Sequence, residues 1–296
     1  MLNKEHITEQ LQTKWAARNI LYKDITGSTN DDARLLGEEN APHGTLVVAD
    51  RQDKGRGSRG RSWETPSGTN IAMSLLIRPT APPERISMLT LIMGLSVAEG
   101  VEEAMRLTAG DTSHSSSKTG EDVQIDLRPE DRERDNHHTF IKWPNDVVLA
   151  EKKICGILTE LHMNPDNTIG NVVIGVGINV NMTDFPDSIK DIAASILSIT
   201  GKKVDRSLVV ACVMKHFEDN YEKYNKTYDL SLLKEQYESR LISKGRDVRI
   251  LDPKGEFEAV SEGITDMGAL IVTDRDGNRH EINAGEVTVR GLYTYA

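Results

Sequence analysis

The sequence predicts an α/β (α+β) domain, a mixed β-sheet flanked by helices, followed by a small β-barrel. Three observations carry this prediction. Apolar runs of strand length, GTLVVAD and VVIGVGINVN among them, are interspersed with segments of helical apolar spacing. The stretch ISMLTLIMGLSVAEGVEEAMRL sets Leu91, Leu95, Ala98, Val101 and Met105 at the spacing of one long buried helix. From Gly245 the pattern changes to short strands separated by Asp-Pro, Met-Gly and Asp-Gly turns, as a small barrel requires. The expected boundary places residues 1–242 in the first domain and 243–296 in the second.

Taken in order, Met1–Asn19 reads as a helical lead-in and Ile20–Tyr22 as a short strand. In TGSTNDDARLLGEEN, Ser28 or Thr29 serves as N-cap, with Asp31 and Asp32 in the first helical turn. A buried strand ends near Asp50, and an arginine-rich loop follows it. In SGTNIAMSLLIRP, Ile71, Met73, Leu75 and Ile77 alternate as a strand does, and Pro79, Pro82 and Pro83 end it. After the long helix, about 108–138 is polar and charged, too poor in large apolar groups to offset its own ordering entropy. It reads as a surface insertion dispensable for chemistry. TFIKWPNDVVLAEKKICGILTEL then reads as strand, turn at Pro144–Asp146, strand, turn at Glu151–Lys153, strand. DIAASILSIT, RSLVVACVMKHFEDNYEKY and DLSLLKEQYESRL read as helices.

Composition narrows the function. A formal net charge of -10 argues against a polyanion binder, so a local basic loop on this acidic chain points to a small anionic ligand. Cys155 and Cys212 make neither a disulfide framework nor a metal cluster and read as reduced, buried thiols of a cytoplasmic protein. The N-terminus lacks a signal-peptide core, and the longest apolar run is too interrupted to span a bilayer. The adjacent His137 and His138 lack a third ligand and read as solvated.

The loop itself is KGRGSRGRSW, in which three arginines and three glycines share the seven positions Gly55–Arg61. Like charges repel and glycine resists order, so an anionic ligand is what rewards holding this segment together. Taken alone, such a run more often marks an RNA-binding or disordered segment. Its position between two buried strands and its single occurrence argue against that. Gly175-Val176-Gly177 alone is a weak echo of a dinucleotide motif, without the third glycine or the following helix.

Five segments in order resemble the biotin protein ligase family: Ser28-Thr29-Asn30, GRGSRGRSW, KWPND, KICGIL and GVGIN. The resemblance covers nearly the whole chain apart from 107–138, and it implies an SH3-like barrel at the C-terminus. Ser58 departs from it, standing where the best-known bacterial members carry a further arginine. The implied reaction is the ATP-dependent activation of biotin as biotinyl-5'-AMP. The biotinyl group then passes to a lysine of the biotin carboxyl carrier protein or domain of biotin-dependent carboxylases. By resemblance, Ser28, Thr29, Asn30, Gln52, Gly55, Arg56, Lys153, Gly156 and Gly175 bind biotin. Arg56, Ser58, Arg59, Arg61, Trp63, Asn145, Lys153, Gly177 and Asn179 bind ATP or the adenylate, with Trp63 stacking on adenine. Lys153, Arg56 and Asp146 are the implied catalytic residues, Asp146 as base for the acceptor lysine, and Mg2+ accompanies ATP with ligands left unassigned. Spacing to Gly156 favours Lys153 over Lys152.

A lipoate ligase shares the chemistry, but the arginine loop and the C-terminal module favour biotin. A biotin-sensing repressor would need a DNA-binding domain, and the roughly 20 residues before the core are too few for a helix-turn-helix module. The resemblance therefore implies a monofunctional enzyme with no DNA or membrane partner. A homodimer is left open.

Overall fold

The computed structural model describes residues 2–110, 136–252, 255–285 and 288–291, without the side chains of Arg59 and Thr288. The first sheet has seven strands in the order β1-β2-β3-β7-β6-β5-β4. They are β1 (Ile20–Thr26), β2 (Thr45–Gln52), β3 (Ile71–Ile77), β4 (Thr139–Lys142), β5 (Asp146–Leu149), β6 (Lys152–Met163) and β7 (Ile169–Ile178). Only the β1–β2 pair is parallel; the other neighbours run antiparallel, so the sheet is mixed as expected. Helices α1 (Lys4–Gln10), α2 (Thr29–Glu38), α3 (Met88–Thr108), α4 (Ile196–Thr200), α5 (Arg206–Thr227) and α6 (Lys234–Ser239) complete the domain. The second sheet follows, with β8 (Asp247–Asp252), β9 (Gly255–Ile264), β10 (Leu270–Asp274), β11 (Arg279–Ile282) and β12 (Thr288–Gly291). It is antiparallel, in the order β11-β10-β9-β8-β12.

Strand alternation divides the first sheet between two helical covers. Val47 of β2, Leu76 of β3 and Val173 of β7 pack with Ala33 of α2 on one face. Leu46, Val48, Leu75 and Ile174 point the other way, into the large core that holds α3 and α5. Strand β3 is buried at every position because both of its faces are covered, which explains its unbroken apolar run. Helices α3 and α5 meet closely at Gly100, where a Cβ would lie 2.6 Å from the Val213 backbone. The same core continues into the second sheet through Val248, Ile250, Ile264 and Leu270. Trp143 Nε1 donates to the Gly268 carbonyl at 3.0 Å, tying the two sheets together.

Several elements are shorter than their sequence patterns suggest. The lead-in is helical only over Lys4–Gln10. Beyond it, the backbone N–H groups of Lys14, Trp15 and Ala16 donate to the Glu218 carboxylate on α5, and these tertiary bonds replace helical ones. DIAASILSIT is helical only over Ile196–Thr200, because Ser195 starts the helix with a capping box and Ala193 bridges Lys153 as a strand would. DLSLLKEQYESRL is helical only over Lys234–Ser239. The turn expected at Glu151–Lys153 falls at Ala150 and Glu151, both with positive φ, and β6 already begins at Lys152. Leu107 and Thr108, assigned to the insertion, belong to α3, while residues 111–135 lie outside the described residues. No described helix is long and apolar enough to cross a membrane. Cys155 and Cys212 are free and buried.

Candidate active site

The site is built on a bare patch of sheet. Gly175 and Gly177, two apart on β7, share one face, and Gly156 of β6 pairs with Gly177. A Cβ on Gly177 would lie 2.2 Å from Trp63 Nε1, and one on Gly156 3.0 Å from Trp63 Cζ3. A Cβ on Gly175 would lie 2.1 Å from Asn30 Oδ1. The glycines therefore let Trp63 and Asn30 approach the backbone where any larger residue would exclude them. Trp63 Nε1 is buried there without a hydrogen-bond partner.

One end of the cavity over this floor is lined by hydroxyl and amide groups. The start of α2 places Ser28, Thr29 and Asn30 there. Ser28 stands at the N-cap, yet its side chain makes no capping bond to the helix. The Thr29 N–H and hydroxyl lie 2.8 and 3.0 Å from Gln52 Oε1. Ser74 Oγ sits 2.8 Å from Thr29 Oγ1 and 2.6 Å from Asn30 Oδ1. Asn30 Nδ2 donates to Glu160 Oε2 at 2.6 Å. These bonds lock the side chains in place, so their remaining donors and acceptors are presented in fixed directions.

The other end is charged. Lys153 Nζ lies 2.6 Å from Asp146 Oδ1 and 5.6 Å from the centre of the Trp63 ring. In a regular strand Lys153 and Gly156, three apart, would face opposite sides. Between β5 and β6 the register slips: Val148 pairs with Lys153, but Val147 with Cys155. The extra residue, Ile154, turns into the core beside Cys155, and both Lys153 and Gly156 come to line the cavity. Backbone bonds from Lys153 N to Ile192 O and from Ala194 N to Lys153 O, 2.8 and 3.0 Å, brace this bulge. Lys142 stands nearby: burial first, then the charges of Lys153, Arg290 and Arg61, push its ammonium down to about 8, against the opposing pull of Asp146.

The arginine loop closes over the floor as a tight hairpin. Gly57 N donates to Arg61 O at 2.7 Å and Trp63 N to Gly55 O at 2.9 Å, with a single 3-10 turn at Ser58–Gly60. Gly55 is required by crowding, since a Cβ there would lie 2.3 Å from the Trp63 carbonyl oxygen. Arg56 lines the cavity and forms a two-pronged bond to Asp31 at 2.7 and 2.8 Å. The Arg56 hydrogen bonds hold the Asp31 carboxyl below its ordinary range.

Of the residues expected from the sequence, Ser28, Thr29, Asn30, Gln52, Arg56, Ser58, Trp63, Asn145, Lys153, Gly156, Gly175 and Gly177 line this one cavity. Asp146 joins it through Lys153. Gly55 sits beside it, against Gln52 and Trp63. Asn179 is not on the wall: it is buried, and its Oδ1 accepts from Asn70 Nδ2 at 3.2 Å. Arg61 is exposed and off the wall, so the three arginines do not converge there as a cluster; the Arg59 side chain lies outside what is described. The sequence assigns no site role to Ser74, Glu160, Asp31 or Lys142. Ser74 was findable, since alternation from buried Met73 and Leu75 puts it on the opposite face. Among the described residues, no group of three or more His, Cys, Asp or Glu side chains gathers as a metal site.

Comparison with known proteins adds the following. Residues 22–179 match the model of the biotin/lipoate A/B protein ligase family, and residues 245–290 that of the biotin protein ligase C terminal domain. The bifunctional ligase/repressor BirA of Bacillus subtilis is 36% identical over 278 residues, 93% of this chain and 76% of its own length. The biotin--[acetyl-CoA-carboxylase] ligase of Paracoccus denitrificans is 28% identical over 271 residues, 90% of this chain and 98% of its own. Among solved structures, the biotin protein ligase from Aquifex aeolicus in complex with biotin and ATP superposes with a TM-score of 0.71 at 30% identity, covering 93% of this chain and 99% of that one.

Proposed function

The chain belongs to the biotin/lipoate A/B protein ligase family, and from that premise we propose that it activates biotin with ATP and transfers it to a lysine of a carboxylase carrier domain. One observation carries the choice of substrate. One cavity brings the hydroxyls and amides of Ser28, Thr29, Asn30 and Gln52 and the cations of Lys153 and Arg56 around a single floor of bare glycine. Biotin has the matching parts, a neutral ureido ring, an aliphatic tail and a carboxylate. Leaving the ureido group unpaired on burial would cost about 1–3 kcal/mol, which the Ser28, Thr29 and Gln52 groups avoid. The C-terminal domain match and the relatives named above favour biotin over lipoate.

The first step brings the biotin carboxylate to the α-phosphate of ATP. Two like charges at ~4 Å repel by ~1 kcal/mol in water and by several times more in a drier site. Lys153 and Arg56, once drawn from Asp146 and Asp31, would offset that repulsion, and the hairpin would exclude water from the adenylate. Trp63, already seated on the Gly156–Gly177 floor, supplies a flat face for the adenine ring. In the second step, the acceptor lysine must lose a proton; at an unperturbed pKa of about 10.4 only about one in a few thousand is neutral at pH 7. Asp146 accepts that proton once Lys153 has turned to the anionic reactants. Among the described residues no group of three or more His, Cys, Asp or Glu side chains gathers to hold a metal, so Mg2+ would arrive as a companion of the nucleotide phosphates. It would neutralise charge on the departing pyrophosphate. A cytoplasmic location belongs to the same proposal, supported by the free thiols Cys155 and Cys212.

The experiment is ATP–pyrophosphate exchange run side by side with biotin and with lipoate. Exchange that depends on biotin is expected; equal or greater exchange with lipoate overturns the assignment.

A further inference from the structure

Among the described side chains Arg56 is the loop arginine on the cavity wall, yet both of its terminal nitrogens are engaged by a carboxylate of the protein itself. Asp31 takes Nη1 at 2.7 Å and Nη2 at 2.8 Å, from the first turn of α2 and 25 residues away in sequence. Glu160 Oε1 stands 3.8 Å from Nη2. Glu160 is already committed to Asn30, so Asp31 alone makes the two-pronged contact. This fork-to-fork geometry is the one a guanidinium uses to recognise any carboxylate. Asp31 belongs to none of the five recognition segments, which end at Asn30 on this helix.

We propose that Asp31 is a positioning residue that holds Arg56 in the ligand-free enzyme, and that an anionic ligand takes its place by exchanging one carboxylate for another. The exchange is nearly balanced. Arg56 and Asp31 are each close to half exposed, with side chains 42% and 46% accessible, so their pair is weak and screened. A weak internal anion serves two ends. It keeps Arg56 aligned at the mouth when the cavity holds no ligand, and it yields to a substrate carboxylate at small cost. The rest of the hairpin keeps its form through the Gly57–Arg61 and Trp63–Gly55 backbone bonds, so only the Arg56 side chain is released. Asp31 therefore makes a competing contact, and its removal should strengthen binding of anionic ligands and leave neutral ones alone.

Only the binding arm of the test rests on the biotin reading. In the first arm, the ligand-free full chain and its Asp31→Asn variant are treated with phenylglyoxal, and modification of Arg56 is followed by peptide mapping with exposed Arg61 as internal reference. Arg56 should react about two- to five-fold faster in the variant, the scale of an exposed ion pair, with Arg61 unchanged. An unchanged Arg56 rate overturns the proposal. In the second arm, calorimetry compares biotin with biotinol, which carries a hydroxyl in place of the carboxylate. Asp31→Asn should tighten biotin by about two- to five-fold and leave biotinol as it was. Equal shifts for both ligands, or weaker biotin binding, overturn it. Should neither ligand bind the parent protein, the biotin reading fails while the phenylglyoxal arm still decides the role of Asp31. Asp31→Ser serves in both arms if Asp31→Asn does not fold.

Discussion

Lys153 Nζ lies 2.6 Å from Asp146 Oδ1, so two residues expected to act in successive steps are already in contact. In the free protein each holds the other. On the proposed reading, anionic reactants would draw Lys153 away and leave Asp146 to meet the acceptor amine. Lys152, one position earlier, is exposed and faces a separate groove with Phe185, Lys190 and Ile199. Lys153→Ala is therefore expected to slow adenylate formation by at least about ten-fold, equivalent to ~1.4 kcal/mol. Lys152→Ala should stay within about two-fold. Single-turnover formation of biotinyl-5'-AMP measures both, and the reverse ranking would place the bulge at Ile154 in the wrong register.

The glycine floor makes a steric prediction. Gly177→Ala puts a methyl 2.2 Å from Trp63 Nε1, and the indole must leave the floor. Nucleotide affinity should fall by about ten-fold or more, and tryptophan emission should shift to the red as the ring enters water. Gly57→Ala is the control, because its nearest neighbour would be at an ordinary 3.6 Å. If Gly177→Ala binds nucleotide like the parent, the floor does not seat the ligand through Trp63.

The buried charges between α3 and α5 set a pH window for stability. His216 bonds Glu103 at 2.8 Å and approaches Glu99 at 3.4 Å. Against burial, which lowers it, the bonds to Glu103 and Glu99 raise the His216 imidazole from 6.5 to about 9. Burial opposes the shift of Glu103, yet its bonds to His216 and Lys215 bring it down from 4.5 to about 2. The His216 contribution is thus complete below pH 6.5 and is lost as pH rises through about 9. The Glu103 contribution is complete above pH 4.5 and is lost as pH falls through about 2. Melting temperatures taken across pH should fall between pH 6.5 and 9, and His216→Gln should flatten that limb. A parent curve that stays flat there rules out a charged His216 at neutral pH.

Ser58 lines the cavity at the tip of the hairpin, where a hydroxyl replaces a charged fork. Charge-assisted hydrogen bonds are roughly twice as strong as neutral ones. Ser58→Arg should therefore retain the adenylate longer, with an off-rate about ten-fold slower, corresponding to ~1.4 kcal/mol. Stopped-flow release of biotinyl-5'-AMP reads this directly. Release as fast as in the parent, or faster, means Ser58 does not loosen the loop.

Much of this site could be read from residue order. Ser28-Thr29-Asn30, Gln52, the Arg56–Ser58 part of the arginine loop, Lys153 and the β7 glycines each carry a local signature of turn, cap or strand, and folding brings them to one cavity. Alternation gives the faces of β3, because a strand's side-chain period is two whatever it pairs with. The start of α2 is legible at Ser28, whereas the capping box at Ser195 lies unread inside DIAASILSIT. At the lead-in the pattern failed, because Glu218, some 200 residues away, takes the backbone donors that a longer helix would have used.

By itself the sequence determined which chemistry is present: a basic glycine loop on an acidic chain, a mixed sheet with helices, and an all-β segment at the C-terminal end. Those features depend on residue type and on spacings of a few positions. Tertiary structure alone decided how the groups meet. The slip at Ile154 turns Lys153 toward Asp146 and Gly156, and α2 lies where Asp31 captures Arg56, while Arg61 is left in solvent. Register and contact arise from pairing between strands and helices far apart in the chain, where the balance of packing and hydrogen bonding is struck across the whole fold and no local pattern records it.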